Sequence, residues 1–376
     1  ADAISRPRLL ALTEFGPQNT IYYDGQKYQV NMMMQGFDME GAVLREAKIS
    51  KKSGFILLGH EARTDTDPFS GADLSHNGNV ETLANLLELQ DGRARQVQRI
   101  SCEEEERMRK GFDEKLYFRT DHAAGIQLVQ VFFQGEHLLN LRYIPTAQIV
   151  KVNLRWKASQ TQEQGFAMNK KTGKWLSQKQ VDEMNDRGEG EMDNLQRVHL
   201  YTTDTANSLY IEPCARMNLN PDGVLTMMYA LKRAIEIHFQ VEPREMGATL
   251  MGEPEQPNIF IYEAAEGSLG ILSQITQDAG TFRKVAETAC KLCYFENGAD
   301  VHPNGEHCLA SYTDLLDYFN QRDHSRINRL LIKNALETLM RSEYNAVTGN
   351  RSYDAHYEWL RAQTDPASDM ERKLLD

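Results

Sequence analysis

At 376 residues, with 41% hydrophobic and 26% charged side chains, the chain is long enough for two or three cores and has the balance of an ordinary globular protein. No run approaches 18 consecutive apolar residues and residues 1–30 show no basic-then-apolar leader, so neither a helical membrane span nor a secretion signal is expected, and a cytoplasmic setting without membrane partners is predicted. A formal charge of −12 repels nucleic acid at long range, so any such contact must come from a local basic patch.

In chain order, Asp24-Gly25 lies between two β-rich runs in residues 21–30, the strongest short-range signal for a two-residue hairpin. A small β domain is predicted over 1–100, with a long loop at 60–80 rich in Gly, Asp, Ser, Thr and Asn. The β-branched and aromatic runs at 116–118, 126–133 and 149–156, with further runs at 197–201 and 208–212, predict a β-rich domain over 101–215. Residues 178–195 are so polar that they read as a solvated excursion or a loop. Asn220-Pro221 then supplies an N-cap followed by proline at the first helical position, and Val224, Met228, Leu231, Ile235 and Phe239 recur at spacings of three and four. A buried-type strand at 258–263 leads through a glycine-containing loop into another helix, and helices are also expected at 281–293, 324–342 and 352–363. The fold class is therefore α+β or α/β: a small N-terminal β domain, a β-rich middle sheet, an α/β domain with long helices over 216–345, and a helical tail over 346–376.

Motifs for nucleotide chemistry are missing. Lys171-Thr-Gly-Lys174 has Met168 where a P-loop needs glycine and Trp175 where it needs Ser or Thr, so a β-turn is expected there. Gln90-Asp-Gly-Arg-Ala-Arg95 superficially resembles a γ-phosphate-sensing motif but sits amid strand and loop signals. The acidic run Glu103 to Glu106 reads as the solvated first turn of a helix. Gly267 and Gly270 before a helix are suited to an anion on free N–H groups or, more simply, to close packing. The five cysteines, Cys102, Cys214, Cys290, Cys293 and Cys308, are an odd number without a leader, which favours reduced thiols or a metal site over disulfides. Cys290-Lys-Leu-Cys293 followed by Cys308, with His302 and His307 between, is the one constellation with metal character, suited to tetrahedral Zn²⁺. The same cysteines also read as small core residues on an apolar stripe. No Ser-His-Asp, Cys-His-Asn or H-E-x-x-H grouping is present.

Several stretches together resemble the region behind the motor in bacterial superfamily 2 DEAD/DEAH-type helicases that end in an MZB-type (Mrf zinc-binding) domain, a group that includes the DISARM antiphage helicases. They are Ile4-Ser-Arg-Pro-Arg8, Glu14-Phe-Gly-Pro17, Ile21 to Gly25, Arg99 to Arg107, Asp204 to Leu209, Ala230 to Ala234, Tyr262 to Gly267, Cys308 to Tyr312 and Asn320 to His324. The resemblance implies an accessory module that guides nucleic acid and docks a partner, in antiphage defence or DNA repair. ATP would enter only through a motor domain or subunit outside this chain, and the partners would be that motor, DNA and a defence protein such as an MZB-type subunit. It implies a zinc site at Cys290, Cys293, His302 and Cys308, although Gly305 stands where the group has a further cysteine; His302 substitutes or the zinc is lost. It also places Ser50, Ser53, Ser75 and Gly78 where a zinc ribbon has its thiolates, so no metal is expected there, and it marks 313–319 as an insertion. Ala1 and the helix-like end Ser368 to Asp376 read as cut ends. Candidate nucleic-acid contacts are Lys170, Lys171, Lys174 and Arg322, Arg326, Arg329. The rival functions are a protein-interaction subunit, which the acidic charge suits, and a metal-dependent hydrolase, which needs an open metal position and a carboxylate base.

Overall fold

A tight turn with two consecutive left-handed residues opens the first sheet of the computed structural model, which describes residues 3–34, 44–99, 111–120, 125–157, 164–187, 193–264 and 270–346. Asp24 (φ 46°) and Gly25 (φ 67°) join the antiparallel strands Thr20–Tyr23 and Gln26–Met33, as the Asp-Gly signal predicts. A third strand, Gly92–Arg99, pairs on the far side of Gln26–Met33. The chain divides into two units, each assembled from two stretches: residues 1–119 with 148–205, and residues 120–147 with 206–376.

In the first unit a mixed sheet is built from Arg45–Ser50, Ile56–Leu58, Val80–Glu88, Phe112–Arg119 and the 148–156 part of the strand Glu136–Trp156. Residues 199–201 run parallel to 86–88. Alternation of side chains across these strands buries Ile49, Ile56, Leu83, Tyr117, Val150, Val152 and Tyr201 together on one face. The short helix Arg8–Glu14 carries Leu12 into a second core with Val30, Met33, Phe112, Phe166, Trp175 and Val198. Lys151 holds that helix in place, donating to the Leu9 carbonyl at 3.1 Å and to Thr13 Oγ1 at 2.7 Å.

In the second unit Gln127–Phe133 pairs with residues 136–143 and, on its other edge, with Glu343–Ala346. The hairpin Met246–Glu253 and Gln256–Glu263 pairs with residues 208–211. Helix Pro221–Phe239 begins where Asn220 Oδ1 accepts the Gly223 N–H at 2.7 Å, and Asp278 caps Ala279–Leu292 in the same way. Their apolar stripes meet in one large core: Leu231, Ile235, Ile261, Leu272, Phe282, Val285 and Leu336 are all buried, each contributing about 1.5–3 kcal/mol relative to exposure.

Three local readings are corrected. Residues 197–201 and 208–212 belong to one strand, Leu195–Pro213, because the Thr202–Thr205 stretch between them is threonine-rich and suits a pleated backbone. The polar segment 178–195 contains a helix, Gln178–Arg187, started by Ser177 and Gln180 bonding reciprocally to each other's backbone N–H. The helix expected over 324–342 is confined to Lys333–Leu339, preceded by the 3₁₀ turn Arg329–Ile332. Tertiary partners take the N–H groups that a longer helix would need: Asn328 N–H goes to Thr226 Oγ1 and Arg329 N–H to the Leu309 carbonyl. Among the described residues no helix is long and apolar enough to cross a membrane. Cys102, the 103–106 acidic run, Gly267 and the helix expected at 352–363 lie outside the described residues.

Candidate metal centre and nucleic-acid contacts

Cys290 faces inward from the helix Ala279–Leu292, and Cys293 caps its C-terminal end. Both side chains are in the core, Cys293 being 0% exposed. Burial pushes the Cys290 thiol up to about 12. It pushes Cys293 still higher, with the Asp314 carboxylate adding to the effect. Both side chains pack among apolar neighbours in the core. Cys308 is half-buried and directs its thiol at the Ala310 carbonyl, 3.6 Å away. His307 is exposed.

His302 is buried and both of its ring nitrogens are engaged. Nδ1 accepts the Asn304 N–H at 3.1 Å, which places the ring proton on Nε2, and Nε2 donates it to Asp314 Oδ2 at 2.9 Å. Asp314 in turn accepts the Ser311 hydroxyl at 2.8 Å and the Ser311 N–H at 2.7 Å. Among the described residues no three His, Cys, Asp or Glu side chains are gathered closely enough to hold a metal ion.

Arg329, expected among the nucleic-acid contacts, is 0% exposed and is corrected to an internal residue. Its guanidinium forms a two-pronged ion pair with Asp300, at 2.8 and 2.7 Å, and lies over the Phe295 ring at 5.3 Å. Its remaining bonds reach the Cys308 carbonyl at 2.8 Å and the Cys293 carbonyl at 3.1 Å. The hydrogen bonds from Arg329 hold the Asp300 carboxyl below the usual carboxylate range. Neither Asp300 nor Asp314 stands out in the sequence, because their partners lie 29 and 12 residues away.

Lys170, Lys171 and Lys174 are all exposed on one turn of the first unit. Asn169 Oδ1 accepts the N–H groups of Lys171 and Thr172, and Met168 bridges Trp175 across the turn. Gly173 is obligatory in this turn. Its φ is +69°, and an added Cβ would lie 2.5 Å from the Met33 carbonyl oxygen. The P-loop look-alike is thus a docked β-turn presenting three ammonium groups.

In the second unit Arg322 and Arg326 are exposed, Arg326 pairing with Asp222 at 2.8 Å. Beside them in the chain stand aromatic side chains that no sequence motif marks: Tyr312, Tyr318 and Phe319 are 67%, 75% and 91% exposed. The backbone that presents them is fixed from within. Asn320 Nδ2 donates to the Leu315 carbonyl at 2.8 Å, Phe319 and Asn320 N–H donate to Asp317 Oδ1, and Tyr229 OH donates to Asp323 at 2.6 Å.

Two further expectations find internal explanations. At Gly270 the anion is the protein's own Glu263, whose carboxylate accepts the Gly270 and Leu272 N–H groups at 3.1 and 3.0 Å. At the degenerate ribbon positions Ser50 and Ser53 are buried, Ser53 Oγ donating to the buried Asp67 at 2.6 Å, while Ser75 and Gly78 are exposed.

Residues 227–308 match the family model of MZB, the MrfA Zn-binding domain, in agreement with the resemblance read from the C-terminal α/β part. No curated protein matches the chain. Among solved structures, the crystal structure of the DUF1998 helicase MrfA bound to DNA is similar at 10% identity and a TM-score of 0.41, covering 88% of this chain and 31% of that one. The chain therefore spans under a third of that protein, and a likeness this slight transfers no activity. The family name implies zinc, which requires thiolates and an imidazole lone pair converging on one tetrahedron. Cys290, Cys293, His302 and Cys308 do not present that donor set: among the described residues no three His, Cys, Asp or Glu side chains converge, and the imidazole has its Nδ1 lone pair occupied by the Asn304 N–H.

Proposed function

We propose that the chain is an accessory module of an ATP-dependent DNA helicase or translocase, guiding nucleic acid beside a motor supplied by another segment or subunit. The observation that carries this reading is the match of residues 227–308 to a domain family named for MrfA, a protein described as a DUF1998 helicase bound to DNA. Two surface features favour direct contact with a strand. The exposed Lys170, Lys171 and Lys174 turn offers point charges for phosphates. The segment 312–322 carries three exposed rings, Tyr312, Tyr318 and Phe319, and the exposed Arg322 close to them in sequence, residue types that suit stacking on unpaired bases. Single-stranded DNA is a ligand that each feature suits by itself, the lysine turn through phosphates and the aromatic segment through bases.

The test is fluorescence anisotropy of labelled single-stranded DNA across a salt series. Binding should weaken with salt, and replacing all three lysines by alanine should reduce the log–log slope by up to about 2, at roughly 0.7 per phosphate contact. No binding at low salt, or binding indifferent to salt, would remove the reading. A second reading, a protein-docking subunit for an MZB-type or other defence protein, is favoured by the net charge of −12. A pull-down that keeps its partner after nuclease treatment would support it. An antiphage or DNA-repair setting rests on the sequence resemblance, and the neighbouring coding regions test it.

A further inference from the structure

A structural zinc in a small domain works by tying together segments far apart in the chain. In the second unit three such segments converge: the end of helix Ala279–Leu292, the Ala299–Asp300 strand and the Cys308–Leu309 stretch. We infer that these segments are joined by the Arg329–Asp300 ion pair in place of a metal, so that this zinc-binding-type domain folds without zinc.

The geometry supports a staple at every contact. The carbonyl of Cys293 lies at the C-terminal end of a helix, where carbonyls lack intrahelical partners and the dipole is negative. Arg329 Nη1 meets it at 3.1 Å with a positive charge. Nε reaches the Cys308 carbonyl 21 residues away, and the two Nη groups grip both oxygens of Asp300. The Arg329 backbone N–H adds a bond to the Leu309 carbonyl at 2.8 Å. A buried guanidinium is tolerable only when paired and hydrogen-bonded. Here its charge is matched by Asp300 and four hydrogen bonds, with the Phe295 ring beneath it. A second knot closes the remaining loop, His302 donating to Asp314, which also receives Ser311. Of the residues a zinc ion would recruit, His302 is committed to the second knot, Cys290 and Cys293 are packed in the core, and Cys308 directs its thiol at the Ala310 carbonyl. The inference stands apart from the helicase reading: failure to bind DNA leaves it intact, and failure of the staple says nothing about DNA.

The experiment uses the whole chain purified from zinc-supplemented cells, with metal content measured by mass spectrometry and thermal midpoints recorded with and without a zinc chelator. The expected result is no stoichiometric zinc and a midpoint unmoved by chelator or by added zinc. Cys308→Ser should shift the midpoint by no more than about 2 °C, whereas Arg329→Met, which strands Asp300 and two carbonyls, should lower it by on the order of 10 °C. Should Arg329→Met fail to fold, Asp300→Asn offers a milder break with the same direction. One zinc per chain, a midpoint that falls with chelator or rises with added zinc, or a loss in Cys308→Ser as large as in Arg329→Met overturns the inference.

Discussion

Replacing Glu263 by glutamine puts the buried carboxylate at the start of helix Ile271–Gln277 to the test. Glu263 is 2% exposed, and its two oxygens accept the Gly270 and Leu272 N–H groups at 3.1 and 3.0 Å. Gly270 itself is left-handed at φ 66°, a conformation that aims its N–H back at the strand end. Glutamine keeps one acceptor oxygen but turns an NH₂ toward the other N–H, so one charge-assisted bond is lost. Such a bond contributes about 1.5–3 kcal/mol, and the helix N-terminus loses its countercharge, about 0.3–1 kcal/mol more. Relief of carboxylate desolvation offsets part of that, leaving a net cost of about 2 kcal/mol. For a unit of this size that corresponds to a drop of roughly 4–8 °C in the thermal midpoint. Urea unfolding gives the free energy, and amide exchange should show the loss of protection concentrated at residues 271–277. An unchanged midpoint with unchanged protection would refute the capping role.

The Asp300 carboxyl, held low by Arg329, contributes stability that is fully present above the unfolded carboxyl value of about 3.9 and is lost as pH falls through the lower folded value. Urea midpoints measured downward from about pH 5 should therefore decline less steeply in Arg329→Met than in the wild type, and parallel curves would contradict the pairing. Changing Tyr318 and Phe319 to alanine removes exposed rings, so the thermal midpoint should hold while single-stranded DNA affinity falls by about 1–3 kcal/mol per stacked base, read by anisotropy; a large loss of stability with no change in affinity would assign the rings to the fold instead.

The elements legible in the sequence are those written in neighbouring residues. Asp24-Gly25 encodes its turn because a two-residue hairpin needs positive φ at both positions, and Asn220-Pro221 encodes a helix start because the cap and the fixed φ act within one turn. The Ser177 to Gln180 capping box is equally local, yet the polarity of the helix it opens outweighs that signal. Elements set by distant partners are not legible in this way. The apolar spacing after residue 324 suggests a long helix, but Thr226 and the Leu309 carbonyl claim the backbone N–H groups of Asn328 and Arg329. Arg329 looks like one of three surface arginines because nothing near it announces Asp300, 29 residues upstream. The C-x₂-C spacing of Cys290 and Cys293 carries the same signal for a metal site and for two core positions on one helix face. A metal site differs from two core positions in the convergence of further ligands, which depends on residues far along the chain; among the described residues no three His, Cys, Asp or Glu side chains come together.

The nucleic-acid reading is tested most directly by photocrosslinking a single-stranded DNA to the full chain and mapping the attached peptides by mass spectrometry. Crosslinks concentrated on the segment with Tyr312, Tyr318 and Phe319, and on the turn with Lys170, Lys171 and Lys174, are the predicted outcome. Attachment scattered over other surfaces, or none above an unrelated acidic protein, contradicts it.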